Sequence, residues 1–450
     1  MSNKINMVRD YIITALETKN LVGGDKLPGA REFSEQLGVS HAVTQMAFIS
    51  LVRDGILDSI PRSGTFVRHD WFNRLLPNSF YLFRRVWTDL LRDRLPGVEI
   101  HESFRRGVFE IRTTLDVLQN REDYMDLSAV LGEIYPDMSD FFSLPFRSFR
   151  TAAGQLFGIP LVFSPRVLCY NPAMLQTAGC PEPRSGWSWD EFIDDISKLR
   201  RHYVADRIFN WGFDFSAMNF IFRAGGGIID TTDNCSVRLD QPETRQGIAL
   251  VRQLYRALGV RSKWPEKNPY TRSFRQGECA FFMAARQDVD FRSQLPWKSV
   301  PLPLIPGGAD VTAQATDLLC IRQQGGDPTL ARDIIRLMLS PEIQDKIGEL
   351  RYGIPIRKSS AMRSFDPEDP RDALFLSEMT KISAEYNFDS RELTRLVIYG
   401  LYEIWLNDAD LDQTVDELAA ALRTMLRYRH FEIKPTVNNQ QTDMPEGKKT

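Results

Sequence analysis

The feature that most restricts this fold is a set of three helical stripes with glycine stops, packed into the first 70 residues. From Val8 to Thr18, the apolar residues Val8, Tyr11, Ile12, Ala15 and Leu16 recur at helical spacing until Gly23 and Gly24 end the pattern. "LPGAREFSEQLG" predicts a second helix just after Pro28, with Phe33 and Leu37 on one face and Gly38 as its stop. "GVSHAVTQMAFISLVRDGIL" predicts a third. Ser40 caps it, Val43, Ala47 and Leu51 form its inner stripe, and Gly55 ends it. "ILDSIPRSGTFVRHD" then reads as two short strands around a Pro-Arg-Ser-Gly turn. Three helices followed by a hairpin is the order of a small α+β winged helix-turn-helix.

The leading turns of the third helix offer Ser40, His41, Thr44 and Gln45, with no arginine before Arg53. Glutamine pairs bidentately with adenine, and serine and histidine reach base edges or phosphate. A good bidentate pair discriminates by ~1–3 kcal/mol. So few cations predict modest affinity per monomer and a shallow salt dependence, which two half-sites bound by a homodimer would offset. The competing reading is a helical hairpin that serves dimer formation and has no DNA role. The segment resembles the GntR family of bacterial transcription regulators, through "GDKLPGAREFSEQLGVS", "LVRDGIL" and "RSGTFV". That resemblance implies operator DNA as a partner, Arg31 as a phosphate- or base-contacting arginine, Ser40 as the cap of the recognition helix, and Gly64 at the wing tip. Arg62 of the wing turn joins the expected DNA-binding set. The chain departs from the family at His41, Ala42, Val43 and Gln45, where relatives commonly carry arginine and threonine.

A length of 450 residues exceeds one ordinary domain, and 43% apolar with 26% charged residues suits a soluble globular chain. The net charge of -3 gives no general attraction to polyanions, so any DNA surface must be local. The first twenty residues lack the apolar core of a secretory signal, and no stretch reaches the ~18 apolar residues of a membrane span. Five cysteines, Cys169, Cys180, Cys235, Cys279 and Cys320, are scattered and form no CxxC pair. Together these features predict a cytoplasmic protein with free thiols and no membrane partner.

Residues 71–79, which include "WFNRLLPN", read as an apolar connector in which Trp71, Phe72 and Leu75 pack against a neighbour. From about 80 to 430 the chain alternates strand and helix patterns. "GVEIHES" and "YMDLSAVL" read as short strands, "FGIPLVFSPRVLCYNPAML" as a long apolar β-branched run, and "SWDEFIDDISKLRRHY" as a capped amphipathic helix. Residues 431–450 are polar and are expected to be disordered. The fold class is therefore multidomain, a winged helix followed by a two-lobed α/β unit.

This second part resembles the extracellular solute-binding proteins of ABC-type importers, in the group that includes maltose-binding protein. The matching stretches are "LFGIPLVFSPRVLCYNPAMLQTAGC", "GWSWDEFIDDISKL", "FRAGGGIID", "FRQGECAFFMA", "VPLPLIPGG" and "RYGIPIRKS". The resemblance implies a type II periplasmic-binding-protein clamshell, with one lobe from 80–163 plus 303–339 and the other from 164–302 plus 340–430. Crossings are expected near Phe163 to Arg166, near Leu302 to Pro306 and near Ser340. It implies a small-molecule effector, a sugar or oligosaccharide, bound between the lobes by Ser164, Phe215, Ser216, Asn219, Arg286, Gln287, Arg391 and Tyr399. Trp187 and Trp189 belong to a structural helix start, and Gly225 to Gly227 read as a tight turn, because the lysine of a phosphate loop is missing.

No HExxH, no GxSxG and no His/Cys cluster at metal spacing occurs, so no catalytic residue, metal or cofactor is expected. The expected function is a ligand-responsive transcription regulator. Three rivals stay open: a solute receptor with an unusual N-terminal extension, a sugar-metabolising enzyme joined to a DNA module, and a regulator whose clamshell is a dimerisation scaffold without ligand response.

Overall fold

The computed structural model describes residues 2–17, 20–71, 76–82, 84–95, 98–101, 107–151, 153–210, 214–230, 236–260, 276–323, 328–384 and 390–432. The stripes of the first segment become α1 (Ser2–Glu17), α2 (Ala30–Leu37) and α3 (His41–Arg53). Val8, Ile12, Phe33, Val43, Ala47 and Leu51 meet in one core, each contributing roughly 1.5–3 kcal/mol where a large side chain leaves water. Gly38 ends α2 in the left-handed conformation at φ 64°, where its backbone N–H reaches back to the last turn. Strands β1 (Leu57–Ile60) and β2 (Gly64–Val67) pair antiparallel, Leu57 opposite Val67, as the wing. Trp71 packs against this core, whereas Phe72 and Leu75 of the expected connector lie outside the described residues.

The rest of the chain builds two sheets. The first contains β3 (Leu76–Leu82), β4 (Glu99–His101), β5 (Gly107–Thr113), β6 (Ile159–Pro165), β11 (Thr312–Ile321) and β12 (Ile354–Pro355), in the order β12-β6-β11-β5-β3-β4. The second holds β7 (Val167–Tyr170), β8 (Phe209–Asn210), β9 (Phe281–Ala284) and β10 (Lys298–Val300), in the order β10-β7-β9-β8. Strands β6, β7, β9 and β11 are buried along their whole length; β7 and β9 accordingly read as short apolar runs rather than alternating ones, whereas β11 buries Thr312, Gln314, Thr316 and Asp317 in its first half. Strand β13 (Ile382–Ala384) runs parallel to the start of β11. Each sheet has its own core, and both contain helices from distant parts of the chain.

Three expectations need correction. "YMDLSAVL" is not a strand: Asp126 accepts the Ser128 backbone N–H at 3.0 Å and starts a helix, Ser128–Ile134. The chain does not leave the first lobe at Ser340, because Ile334, Met338, Ile343, Ile347 and Ala361 all pack in that lobe's core. It reaches the other core only later, through Phe375 beside the second sheet and then the helices Arg391–Leu406 and Leu411–Glu432. The crossing expected at Leu302 to Pro306 also comes later, since Leu302 and Ile305 still belong to the second core and β11 begins at Thr312. Cys235 lies outside the described residues; the other four cysteines are buried free thiols. Among the described residues no helix is long and apolar enough to cross a membrane.

A buried ion cluster ties the winged helix to the clamshell. Arg9 of α1 is buried, donates to Ser50 Oγ on α3, and pairs with Asp54 at the end of α3 at 2.7 Å. The same guanidinium donates to Glu99 of β4 at 2.9 Å. Burial disfavours its charge, but Glu99 and Asp54 outweigh that and hold its pKa above the ordinary arginine value. A single cation thus joins the end of the third helix to an edge strand of the first lobe.

Candidate functional site

Two places gather the sequence-predicted residues: the outward face of α3 with the wing, and the junction between the lobes. On α3, Ser40 accepts the Val43 backbone N–H at 3.3 Å as the N-cap, which fixes where the helix begins. His41 and Gln45 are exposed on its first turns. Thr44 is fully buried and its hydroxyl has no hydrogen-bond partner, so it faces the helical core rather than solvent. The cause is angular: Thr44 is one residue past Val43 and three before Ala47, on the inner arc. Arg31 leaves 89% of its side chain exposed, beside Glu35 at 3.6 Å. Arg62 is exposed at the wing tip with φ 64°, and Gly64 adopts φ 126°, where a Cβ would collide with the Lys26 side chain.

Between the lobes, β6 runs into β7 through Arg166, and β11 enters beside it. Thr312 Oγ1 accepts the Arg166 N–H at 3.0 Å and donates to the Arg166 carbonyl at 2.8 Å, stitching the two crossings together. Asn219 adds to the stitch: its Oδ1 accepts the Ala313 N–H at 2.9 Å and its Nδ2 donates to the Ser216 carbonyl at 3.0 Å. Ser164 Oγ accepts the Arg286 N–H at 2.8 Å and donates to the Pro165 carbonyl at 2.7 Å. Both side chains are therefore occupied in holding the hinge.

Arg286 is likewise engaged. It is fully buried and binds both carboxylate oxygens of Asp372, at 2.7 and 3.1 Å, and the Ser364 carbonyl at 3.2 Å. Burial pulls its pKa down, with Asp372 opposing. It acts as a structural cation that anchors the helix Pro370–Glu378, not as a ligand-facing one. Arg391 is exposed and donates to Asn120 Oδ1 at 2.5 Å, while Gln119 Nε2 donates to Thr394 at 2.7 Å. These bonds link the end of the helix Thr114–Gln119 to the helix Arg391–Leu406. Tyr399 is 54% exposed two turns further along. Phe215 lies in the turn Asp214–Ala217.

The structure also gathers residues that sequence reading passed over. Arg84, just after β3, donates to Asp288 at 2.8 Å and to the Gln287 carbonyl at 3.2 Å, spanning from the first lobe to the turn after β9. Asp317 of β11 accepts from Trp87 at 3.0 Å and from the Tyr352 hydroxyl at 2.5 Å. Burial pulls Arg84 down, but Tyr352, Asp288 and Asp317 outweigh it and hold its pKa above the ordinary arginine value. Burial alone would raise Asp288; Arg84 and Arg166 reverse this and hold it below its usual 3.8. Burial pushes Asp317 up. An acid inside the apolar strand "TAQATDLLCI" was the available signal for Asp317. Nothing local marks Arg84 or Asp288.

Ser216 Oγ, Gln287 Oε1 and Gln314 Oε1 are among the buried oxygens that have no hydrogen-bond partner among the described residues. Each such group costs about 1–3 kcal/mol unless something donates to it. Trp187 and Trp189 are buried core residues, their N–H groups given to the Pro301 carbonyl and to Gln253 at 2.9 and 2.8 Å. Gly226 lies so close to Thr244 that a Cβ would meet its backbone, which packs the segment against the helix Pro242–Leu258, and the preceding Gly225 turns the chain at φ 87°. Among the described residues no cluster of His, Cys, Asp and Glu can hold a metal ion.

Comparison with known proteins agrees with this division. Residues 4–67 match the model of bacterial regulatory proteins of the gntR family, and residues 112–372 match that of bacterial extracellular solute-binding proteins. A putative L-lactate dehydrogenase operon regulatory protein of Escherichia coli (strain K12) is 42% identical over 65 residues, which is 14% of this chain and 25% of that protein. The chain thus spans about a quarter of the length of the curated relatives it matches. UgpB from Mycobacterium tuberculosis, solved with glycerophosphocholine, superposes with a TM-score of 0.63 at 17% identity, over 79% of this chain and 99% of its own. The maltose-bound MalE3 of T. maritima gives 0.61 at 16% identity, over 77% and 99%. At such identities these two establish a shared two-lobed fold and no more. The chain belongs to the bacterial extracellular solute-binding protein family through its clamshell, and carries a gntR-family domain at its N-terminus.

Proposed function

We propose that this chain is a DNA-binding transcription regulator whose clamshell senses a small molecule. The effector in this reading is a carbohydrate or other polyol, and a homodimer in the cytoplasm binds operator half-sites. The observation that carries the reading is the Arg9 junction. It joins the end of the third helix, through Ser50 and Asp54, to Glu99 of the first lobe. A movement of that lobe is thereby applied to the helix that would enter DNA, which is allostery as a coupling free energy between two sites.

A hydroxyl-rich effector suits three of these buried oxygens, because Ser216 Oγ, Gln287 Oε1 and Gln314 Oε1 can all accept from sugar hydroxyls. Arg391 and Tyr399 would contribute from the rim. Ser164, Asn219 and Arg286 support the hinge behind them. The DNA contacts in this reading are Arg31, Ser40, His41, Gln45, Arg62 and Gly64, with Thr44 withdrawn. The domain limits that go with it are 1–70 for the reader, a connector that ends where β3 begins at Leu76 rather than at 79, and a tail that follows the helix Leu411–Glu432 rather than starting at 431.

A gel-shift titration with DNA from upstream of its own gene, with and without a sugar panel, tests the regulator. Sequence-specific retardation that a sugar strengthens or weakens is expected; no specific retardation at low salt would overturn the reading. A second reading, a scaffold without ligand response, is favoured by the Arg84–Asp288 bridge that already links the lobes. Thermal unfolding across the same panel separates the two, since an effector that binds the native state must stabilise it.

A further inference from the structure

We infer that the third helix reads thymine methyl groups through an apolar centre made of Ala42, Met46 and Ile49, an inference that rests on the DNA-binding reading above. The buried residues of α3, namely Val43, Thr44, Ala47, Phe48 and Leu51, define its inner arc. At 3.6 residues per turn the opposite arc is centred on Ala42 and Ile49, with Gln45 and Met46 on either side. These four stand at i, i+3, i+4 and i+7, so they form one continuous stripe about 10 Å long.

Exposure agrees with the angles. Ile49 is 63% exposed and Met46 48% exposed, and Ala42 and Gln45 are exposed ahead of them on the same stripe. The clamshell contact uses the neighbouring arc, Ser50 and Asp54, and leaves this stripe uncovered. A surface helix normally gives its outermost positions to polar residues, and here the outermost side chains cannot hydrogen-bond.

Charge decides the partner. Arg31 and Arg53 hold 89% and 73% of their side chains in solvent, and Lys26 and Arg62 are exposed on the adjoining turn and wing. An apolar stripe accompanied by solvent-exposed cations, two of them in surface ion pairs with Glu35 and Asp54 that an incoming phosphate can displace, fits a polyanion whose inner surface carries apolar groups. In the DNA major groove that group is the C5-methyl of thymine, which marks an A·T pair without any hydrogen bond. Gln45 within the same stripe can add a bidentate bond to an adjacent adenine. The preferred half-site is therefore A·T-rich and is read largely by shape and methyl contact. This accounts for a recognition helix with no arginine in its leading turns.

The test uses the full chain and a duplex selected from a random-sequence pool. Each thymine is replaced in turn by uracil, which removes only the methyl. At one or more positions the affinity should fall about four-fold, the size of one buried methyl group. In I49A that penalty should vanish at one of those positions. A selected duplex whose affinity is indifferent to every uracil would overturn the inference and leave the DNA-binding reading intact. Selection of no sequence at all would overturn both. The stripe could instead seat a second copy of the chain. In that case I49A would weaken self-association in sedimentation and uracil would be silent, which also overturns the inference.

Discussion

The outer face of the third helix and the junction between the lobes are opposites. The helix face is exposed, locally specified and mostly apolar at its centre, with Ile49 and Met46 in solvent. The junction is buried, assembled from distant residues and highly polar, and most of its charges already have partners: Arg84 with Asp288, Arg286 with Asp372, and Asp317 with Tyr352 and Trp87. A recognition surface must leave its groups free for the partner, whereas a hinge must satisfy its own. Burial and partnership therefore separate readers from supports better than residue type does. By that criterion Thr44 leaves the reading set, and Ser164, Asn219 and Arg286 become supports.

The largest expected effect lies at the junction. R286A would leave the buried Asp372 carboxylate with Arg351 at 3.9 Å in place of its bidentate partner and should destabilise the clamshell by about 3–5 kcal/mol in urea unfolding. The double change R286M/D372L should recover much of that loss. If R286A unfolds like the parent and instead loses affinity for a sugar, the distinction between support and contact fails.

Next comes the contact between the two regions. E99Q removes one charge from the buried Arg9 cluster, where a charge-assisted bond is worth about 1.5–3 kcal/mol. Amide hydrogen exchange of residues 41–53 should speed up while that of β6 stays protected. Unchanged exchange in the third helix would show that Glu99 does not restrain it.

On the helix face, Q45A should relax preference at a single base pair by ~1–3 kcal/mol and leave stability alone. A uniform loss over all sequences would instead make Gln45 a phosphate contact. The smallest effect is expected one residue earlier. T44V replaces a buried hydroxyl that has no partner and should be neutral or slightly stabilising in a thermal melt, with DNA preference unchanged. A shifted preference in T44V would return Thr44 to the reading surface.

Much of this molecule follows from local pattern. The helices of the winged segment, the Ser40 cap, the wing turn and the capped helix after Ser188 are all encoded within a few residues, because helix faces and caps depend on spacing of three or four. The strand-to-strand crossing near Arg166 was expected from the resemblance to solute-binding proteins, and β6 does end at Pro165 with β7 starting at Val167. Reading went wrong where a short pattern has two meanings, as in "YMDLSAVL", whose second half is a helix that begins just after Asp126 accepts the Ser128 N–H.

The tertiary structure alone decided which polar residues are available. Arg286 and Arg391 look alike in sequence, yet one is locked to Asp372 inside the protein and the other is exposed and bonded to Asn120. Arg84 and Asp288 are about 200 positions apart, and so are Arg322 and Asp123, so no local period could pair them. Helices and caps form from neighbours in the chain, and the sequence by itself determined them. Ion pairs, hinges and the Arg9 junction form from neighbours in space, and only the packing of the lobes brings those residues within reach of one another.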